Sequence, residues 1–153
     1  MSMIFRLLGA AGLVAMASVG AAQGAETADP TELIRPAEEV DLDEFLWLKR
    51  PVVVFADSPA DPRYVEQINL ITDRPDALTD RDVVVITDTD PSARSSVRRA
   101  LRPRGFMLAV LAKDGTVVIR KPAPWDVREI SRSIDKLPLR QQEIRDRREA
   151  LRQ

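Results

Sequence analysis

The residues best placed for chemistry follow a solid apolar run. Val52 to Ala56 reads as a buried strand, and the chain then breaks into Asp57, Ser58, Pro59, Ala60, Asp61 and Pro62. In a small α/β domain, the loop after the first buried strand is where a site is normally built. Asp57, Ser58 and Asp61 are therefore the candidate functional loop, because two carboxylates flanking a hydroxyl could bind a cation or move protons. The plainer reading ends a strand at Asp57 and caps a helix with Asp61, followed by Pro62 at the first helical position. Asp88 and Asp90 form a second acidic pair, and Asp90 before Pro91 repeats the cap pattern. If both loops lie at one sheet edge, the four carboxylates could converge on a hard cation such as Ca²⁺ or Mg²⁺. Caps explain these residues more simply, so no catalytic residue, metal or cofactor is expected.

A different chemistry is suggested by Arg94, Arg98 and Arg102, which recur every four residues. On a continuous helix they would form one stripe, a candidate anion surface for acidic glycan, phospholipid head groups or an acidic partner. The plainer alternative is a solvated face that answers the many carboxylates of the chain.

The residue types that are missing narrow the function further. The chain has no Cys and no His. It therefore has no thiolate nucleophile, dithiol pair or imidazole base, and carboxylates are its only usual zinc ligands. Thiol redox chemistry and most hydrolase mechanisms are excluded. Lys and Arg (23) nearly balance Asp and Glu (24), so no overall charge draws the chain to nucleic acid. At 153 residues, with 44% hydrophobic and 31% charged side chains, one globular domain with one core is expected.

Arg6, then the apolar or small residues Leu7 to Val19, then Gly20, Ala21 and Ala22, follow the order of a secretory signal peptide. Residues 1–22 are read as that signal, with cleavage after Ala22 and with Gly24 or Ala25 as neighbouring alternatives. An uncleaved anchor helix is the competing reading, but the apolar core falls short of the ~20 residues a span needs. The expectation is an exported protein, periplasmic or secreted, with no membrane span after cleavage.

Residues 23–40 read as a polar, flexible leader. Asp41 and Glu44 have capping-box spacing at the start of a short helix through Lys49. After the first strand, Tyr64, Ile68 and Ile71 share a helical face, and Asp73 to Asp80 reads as a loop. Val83 to Ile86 is a second buried strand, followed by a helix that buries Val97, Ala100 and Leu101 until Pro103 and Gly105 end it. Phe106 to Leu111 and Thr116 to Ile119 flank Asp114-Gly115, a hairpin signal. Val127, Ile130, Ile134 and Leu137 line one face of a further helix, and the charged segment from Pro138 reads as a helix with little to bury. The order β-α-β-α-β-β-α predicts an α/β, thioredoxin-like three-layer sandwich with an extra N-terminal helix and a polar C-terminal helix. A flavodoxin-like arrangement stays open at this point.

A second set of residues points to a family. These are Leu46, Trp47 and Arg50 before the first strand, Gln67 in the helix after it, Arg81 and Asp82 before the second strand, and Lys113, Asp114 and Gly115 in the hairpin. Ile134, Asp135, Leu137, Pro138, Arg140, Gln141, Gln142 and Glu143 complete the set. In these the chain resembles the DUF4174 family, a domain of unknown function, from about Asp43 to Glu143. The resemblance implies a thioredoxin-like domain over residues 41–143, followed by a polar helical tail over 144–153. It also implies occurrence in exported bacterial proteins and in animal extracellular matrix proteins, with a suspected peroxiredoxin-like ancestry. In that comparison the loop from Asp57 to Pro62 stands where thiol-redox proteins carry cysteines, and Gly105 stands near their cis-proline. Arg140 and Glu143 are expected to pin the last helix to the domain, against Asp82 or Trp47. The functional expectation is a monomeric binding or structural module whose partner is an envelope or extracellular protein. An antioxidant or peroxiredoxin-derived enzyme with a non-thiol mechanism is the alternative.

Overall fold

The computed structural model describes residues 30–153. The signal segment expected over residues 1–22 lies outside the described residues. In chain order the elements are α1 (Pro30–Leu33), β1 (Ile34–Pro36), β2 (Arg50–Phe55), α2 (Pro62–Asp73), α3 (Pro75–Thr79), β3 (Val83–Asp88), α4 (Ser96–Leu101), β4 (Met107–Leu111), β5 (Val117–Lys121), α5 (Val127–Asp135) and α6 (Pro138–Ala150). Short 3-10 turns at Ala37–Glu39, Leu42–Phe45 and Pro91–Ala93 join them.

The strands form one sheet in the order β1-β3-β2-β4-β5. β1, β3 and β2 run parallel, whereas β4 pairs antiparallel with β2 and β5 antiparallel with β4. This hairpin excludes the flavodoxin-like alternative, whose strands would all run parallel. β2 is central, and every residue from Arg50 to Phe55 is buried, because neighbours cover both its faces. Its side chains alternate between two cores. Val52 and Val54 meet Ile71, Leu78, Ile130 and Ile134 on one face. Val53 and Phe55 meet Phe45, Val97 and Leu101 on the other. The result is the expected three-layer sandwich, with α2, α3 and α5 on one side and α4 with the 3-10 turns on the other.

Several local expectations change. The leader is not flexible from residue 30 onward: β1 extends the parallel edge through Ile34↔Val85 and Arg35↔Ile86, and Leu33, Ala37 and Val40 are buried. Polar composition hid this because few side chains of the segment, these three and the partly buried Ile34, reach the core, while the backbone supplies the pairing. The helix expected through Lys49 stops at Phe45 as a 3-10 turn, although Glu44 does accept the Asp41 N–H at 3.1 Å. The segment read as a loop, Asp73 to Asp80, holds α3, which buries Leu78 behind Pro75 at its start. α4 begins later than expected because Ser95, rather than Asp90, caps it by accepting the Arg98 N–H at 3.0 Å. Ala100 is consequently exposed, while Val97 and Leu101 are buried. α6 runs unbroken through position 143, so the polar tail continues a helix that begins inside the domain.

If the leader belongs to the core, Leu33→Ala destabilises the protein by about 2 kcal/mol or more. Urea unfolding checks this, and an unchanged midpoint would place residues 30–40 outside the cooperative unit.

Candidate functional site

The two ends of the parallel strands differ in chemistry. At their C-terminal end lies the loop expected to carry function. Asp57, Ser58, Pro59 and Ala60 are exposed there. The Ser58 hydroxyl accepts the Ala60 N–H at 3.1 Å. Asp61 caps α2 by accepting the Arg63 N–H at 2.9 Å and also pairs with the Arg63 guanidinium at 3.0 Å. Hydrogen bonding from Arg63 holds the Asp61 carboxyl below its ordinary range. Beneath this loop Asp88 is buried. It accepts from Arg98 at 2.7 Å and from the Ser95 hydroxyl at 2.6 Å. Asp90 accepts from both the hydroxyl and the N–H of Ser92, and these bonds keep its carboxyl low. Among the described residues no three carboxylates come together as a cation site.

The arginine stripe does not form. α4 covers only Ser96–Leu101, so Arg94 and Arg102 lie beyond its ends, both in left-handed backbone conformation (φ +48° and +51°). Arg98 turns inward, where it neutralises Asp88, donates to the Ala56 carbonyl at 3.1 Å and covers the Phe55 ring at 5.4 Å. A four-residue repeat places side chains on one face only while the helix continues, and here it does not.

At the opposite end of the sheet, the residues that carry the family resemblance converge. Arg50, the first residue of β2, has no solvent exposure. Its Nη1 donates to the Arg81 carbonyl at 2.9 Å and its Nη2 to Glu143 at 3.0 Å. The same Glu143 oxygen accepts from Lys113 Nζ at 2.8 Å, and Lys113 also reaches Asp82 at 2.8 Å. Arg81 grips Asp135 with two bonds, at 2.9 and 2.7 Å. Arg140 is buried between Asp135 and Glu143, and Gln141 donates to the Asp135 carbonyl. Burial works to raise the Glu143 pKa, but the hydrogen bonds and charges of Lys113 and Arg50 outweigh it and lower the value from 4.5 to about 2. Asp135 is likewise lowered: burial opposes the shift, and Arg81 with Arg140 overcomes it. Arg140 and Glu143 thus pin α6 to the domain, reaching Asp82 only through Lys113.

The other motif residues shape the surroundings. Gln67, buried in α2, clamps the Trp125 backbone from both sides, donating to its carbonyl at 3.0 Å and accepting its N–H at 2.8 Å. Asp114 accepts the Thr116 N–H at 2.9 Å, and Gly115 turns the hairpin at φ +86°. A Cβ on Gly115 would lie 3.1 Å from the Leu46 side chain. Pro138 starts α6. Trp47 holds a left-handed conformation (φ +64°) and donates its N–H to the Lys113 carbonyl at 2.7 Å. That geometry costs a non-glycine residue on the order of 1–2 kcal/mol and persists only where surrounding structure enforces it. Its indole stays 67% exposed. Together with Val118, Leu137, Pro138 and Leu139 it walls a mainly apolar cleft of about 300 Å³, with Arg50 and Lys113 also lining it. Sequence reasoning named these motif residues but missed the cleft, which needs the β5 edge and the start of α6 to be neighbours. The signal available was Trp47 and Leu48 beside Arg50, an apolar pair outside any buried run.

The family model described as "Domain of unknown function (DUF4174)" matches residues 41–143. No curated protein sequence matches the chain. Among solved structures, the chain is similar to the reduced 2-Cys peroxiredoxin of Plasmodium vivax. Identity is 14% and the TM-score 0.52, over 63% of this chain and 81% of that one. Thioredoxin peroxidase I of Plasmodium yoelii gives 15% identity and a TM-score of 0.48, over 67% of this chain and 80% of that one. The mitochondrial 2-Cys peroxiredoxin of Plasmodium falciparum gives 16% and 0.46, over 63% and 79%. At 14% identity the first of these likenesses establishes the thioredoxin-like fold alone.

The lowered pKa of Glu143 makes stability depend on pH in one direction. A carboxylate lowered by folding stabilises above its unfolded pKa, and the effect is lost as pH falls through the folded value. Stability is therefore expected to fall between about pH 4.5 and about pH 2. In Glu143→Gln the thermal midpoint should be lower at pH 7 and the acid slope shallower; an unchanged slope would remove Glu143 as the cause. Arg50→Ala should cost about 3 kcal/mol in urea unfolding, because Glu143 and the Arg81 carbonyl lose a buried donor.

Proposed function

The chain belongs to the DUF4174 family, and from that premise we propose that it is an exported thioredoxin-like binding module of the cell envelope that works without thiol chemistry. The observation that carries this reading is Trp47, two-thirds exposed at the mouth of an apolar cleft and held in a costly backbone conformation by the Lys113 carbonyl. An exposed aromatic beside the apolar side chains Val118 and Leu139 is the kind of anchor that interfaces use. The partner is an envelope or extracellular protein, and the module is monomeric.

Export is supported by the residue order from Arg6 to Ala22, and periplasmic or secreted location follows from it. No helix among the described residues is long and apolar enough to cross a membrane. The absence of Cys and His removes thiol and imidazole chemistry from the module. Of the polar groups in the loop after β2, Ser58 and Asp61 are engaged in turn and cap hydrogen bonds, and Asp57 is exposed.

The competing reading is a peroxiredoxin-derived enzyme that acts on peroxide through Asp57, Ser58 and Asp61. Two measurements separate the readings. Cross-linked capture from the envelope of the parent cell, with wild type and with the double variant Trp47→Ala, Val118→Asp, should retain a partner only with wild type, at equal thermal midpoints. Identical capture by both proteins would count against the cleft. Peroxide reduction by the purified protein, lost in Asp57→Asn, would replace the binding reading with the enzymatic one.

A further inference from the structure

The positive charge that fails to form a stripe on α4 gathers elsewhere. Arg102, Arg104, Arg120 and Lys121 line a cleft of about 270 Å³ whose remaining walls are Phe106, Met107 and Pro122. Among the described residues no carboxylate lines it. Among the described residues none of the four cations takes part in an ion pair, whereas Arg50, Arg81, Arg98, Lys113 and Arg140 all do. In a chain with formal net charge -1, four unpaired cations around one small cleft form a concentrated local field.

Two of the four are held in place. Arg120 donates to the Leu101 carbonyl at 2.7 Å, and Lys121 sits over the Trp125 ring at 4.8 Å. The other two stand on the segment between α4 and β4, whose backbone is turned by Arg102 (φ +51°) and Gly105 (φ +63°). Pairing of Phe55 with Met107 and of Leu108 with Lys121 puts the cleft at the same end of the strands as the Asp57–Asp61 loop. Asp61 is held by Arg63, whose guanidinium lies 5.4 Å from the ring of the buried Phe106. The three arginines that line the cleft supply guanidinium forks, which suit oxyanions with several charged oxygens and favour phosphate.

We propose that this cleft binds a ligand carrying two or more phosphate groups, at the end of the strands where a redox thioredoxin would place its cysteines. The site is distinct from the Trp47 cleft and does not depend on it. The phosphates belong to a small soluble compound or to a lipid head group, and the test separates these sources.

Titration calorimetry of the full-length processed protein uses inorganic tripolyphosphate in 100 mM NaCl. Saturable binding is expected, with orthophosphate at least tenfold weaker. The double variant Arg104→Gln, Lys121→Gln should bind on the order of tenfold more weakly at an unchanged thermal midpoint. Arg94→Gln, Arg99→Gln removes the same charge away from the cleft and should bind as wild type. Equal loss in both double variants, or no saturable heat, would overturn the proposal. In a second arm, the protein is sedimented with vesicles of phosphatidylcholine containing about 15% cardiolipin, whose head group carries two phosphates. Binding that tripolyphosphate displaces identifies a lipid head group as the source. Vesicle binding that tripolyphosphate leaves untouched, and that Arg104→Gln, Lys121→Gln retains, would also overturn it.

Discussion

Glu143 on α6 carries a single negative charge that answers two buried or half-buried cations, Arg50 at the start of β2 and Lys113 after β4. A guanidinium with no solvent exposure is very costly unless its charge is matched. The fold meets that cost by bringing the last helix back across the beginning of the sheet. Asp135 closes the same network from α5, and Arg81 and Asp82 close it from the turn before β3. The apolar cleft beside Trp47 exists because this polar network sets where α6 starts.

The two ends of the sheet have thereby exchanged importance. The C-terminal end, where the fold usually concentrates chemistry, holds a capped helix and an internally neutralised Asp88–Arg98 pair. Most of the motif residues that mark the family lie at the other end, and they act in contacts between elements far apart in sequence. The Arg50–Glu143 contact joins positions 93 residues apart, and the Gln67–Trp125 clamp joins positions 58 apart.

What could be read from residues in order was what local physics controls. Asp61-Pro62 specified a helix start, Asp114-Gly115 a hairpin, and the β-branched runs Val52–Val54 and Val83–Val85 the buried strands. The errors arose where a local pattern was ambiguous. Asp90-Pro91 looks the same whether it opens a helix or a single 3-10 turn, and only Ser95 further on settles where α4 begins. Residues 34–36 pair through their backbone, which leaves no hydrophobic period to detect.

The sequence by itself determined the chemistry that is missing, since no packing can supply a thiol or an imidazole that the chain lacks. It also determined the order of the four strands from β2 to β5 and the alternation that divides β2 between two cores. Only the tertiary structure decided what the charges do. Arg50, Arg98 and Arg104 are the same residue type in similarly polar surroundings along the chain. One is buried against Glu143, one neutralises Asp88, and one lines a basic cleft without an ion pair among the described residues. Coulomb energy depends on distance and on exclusion of water, and both arise from contacts between segments that the linear order does not place together.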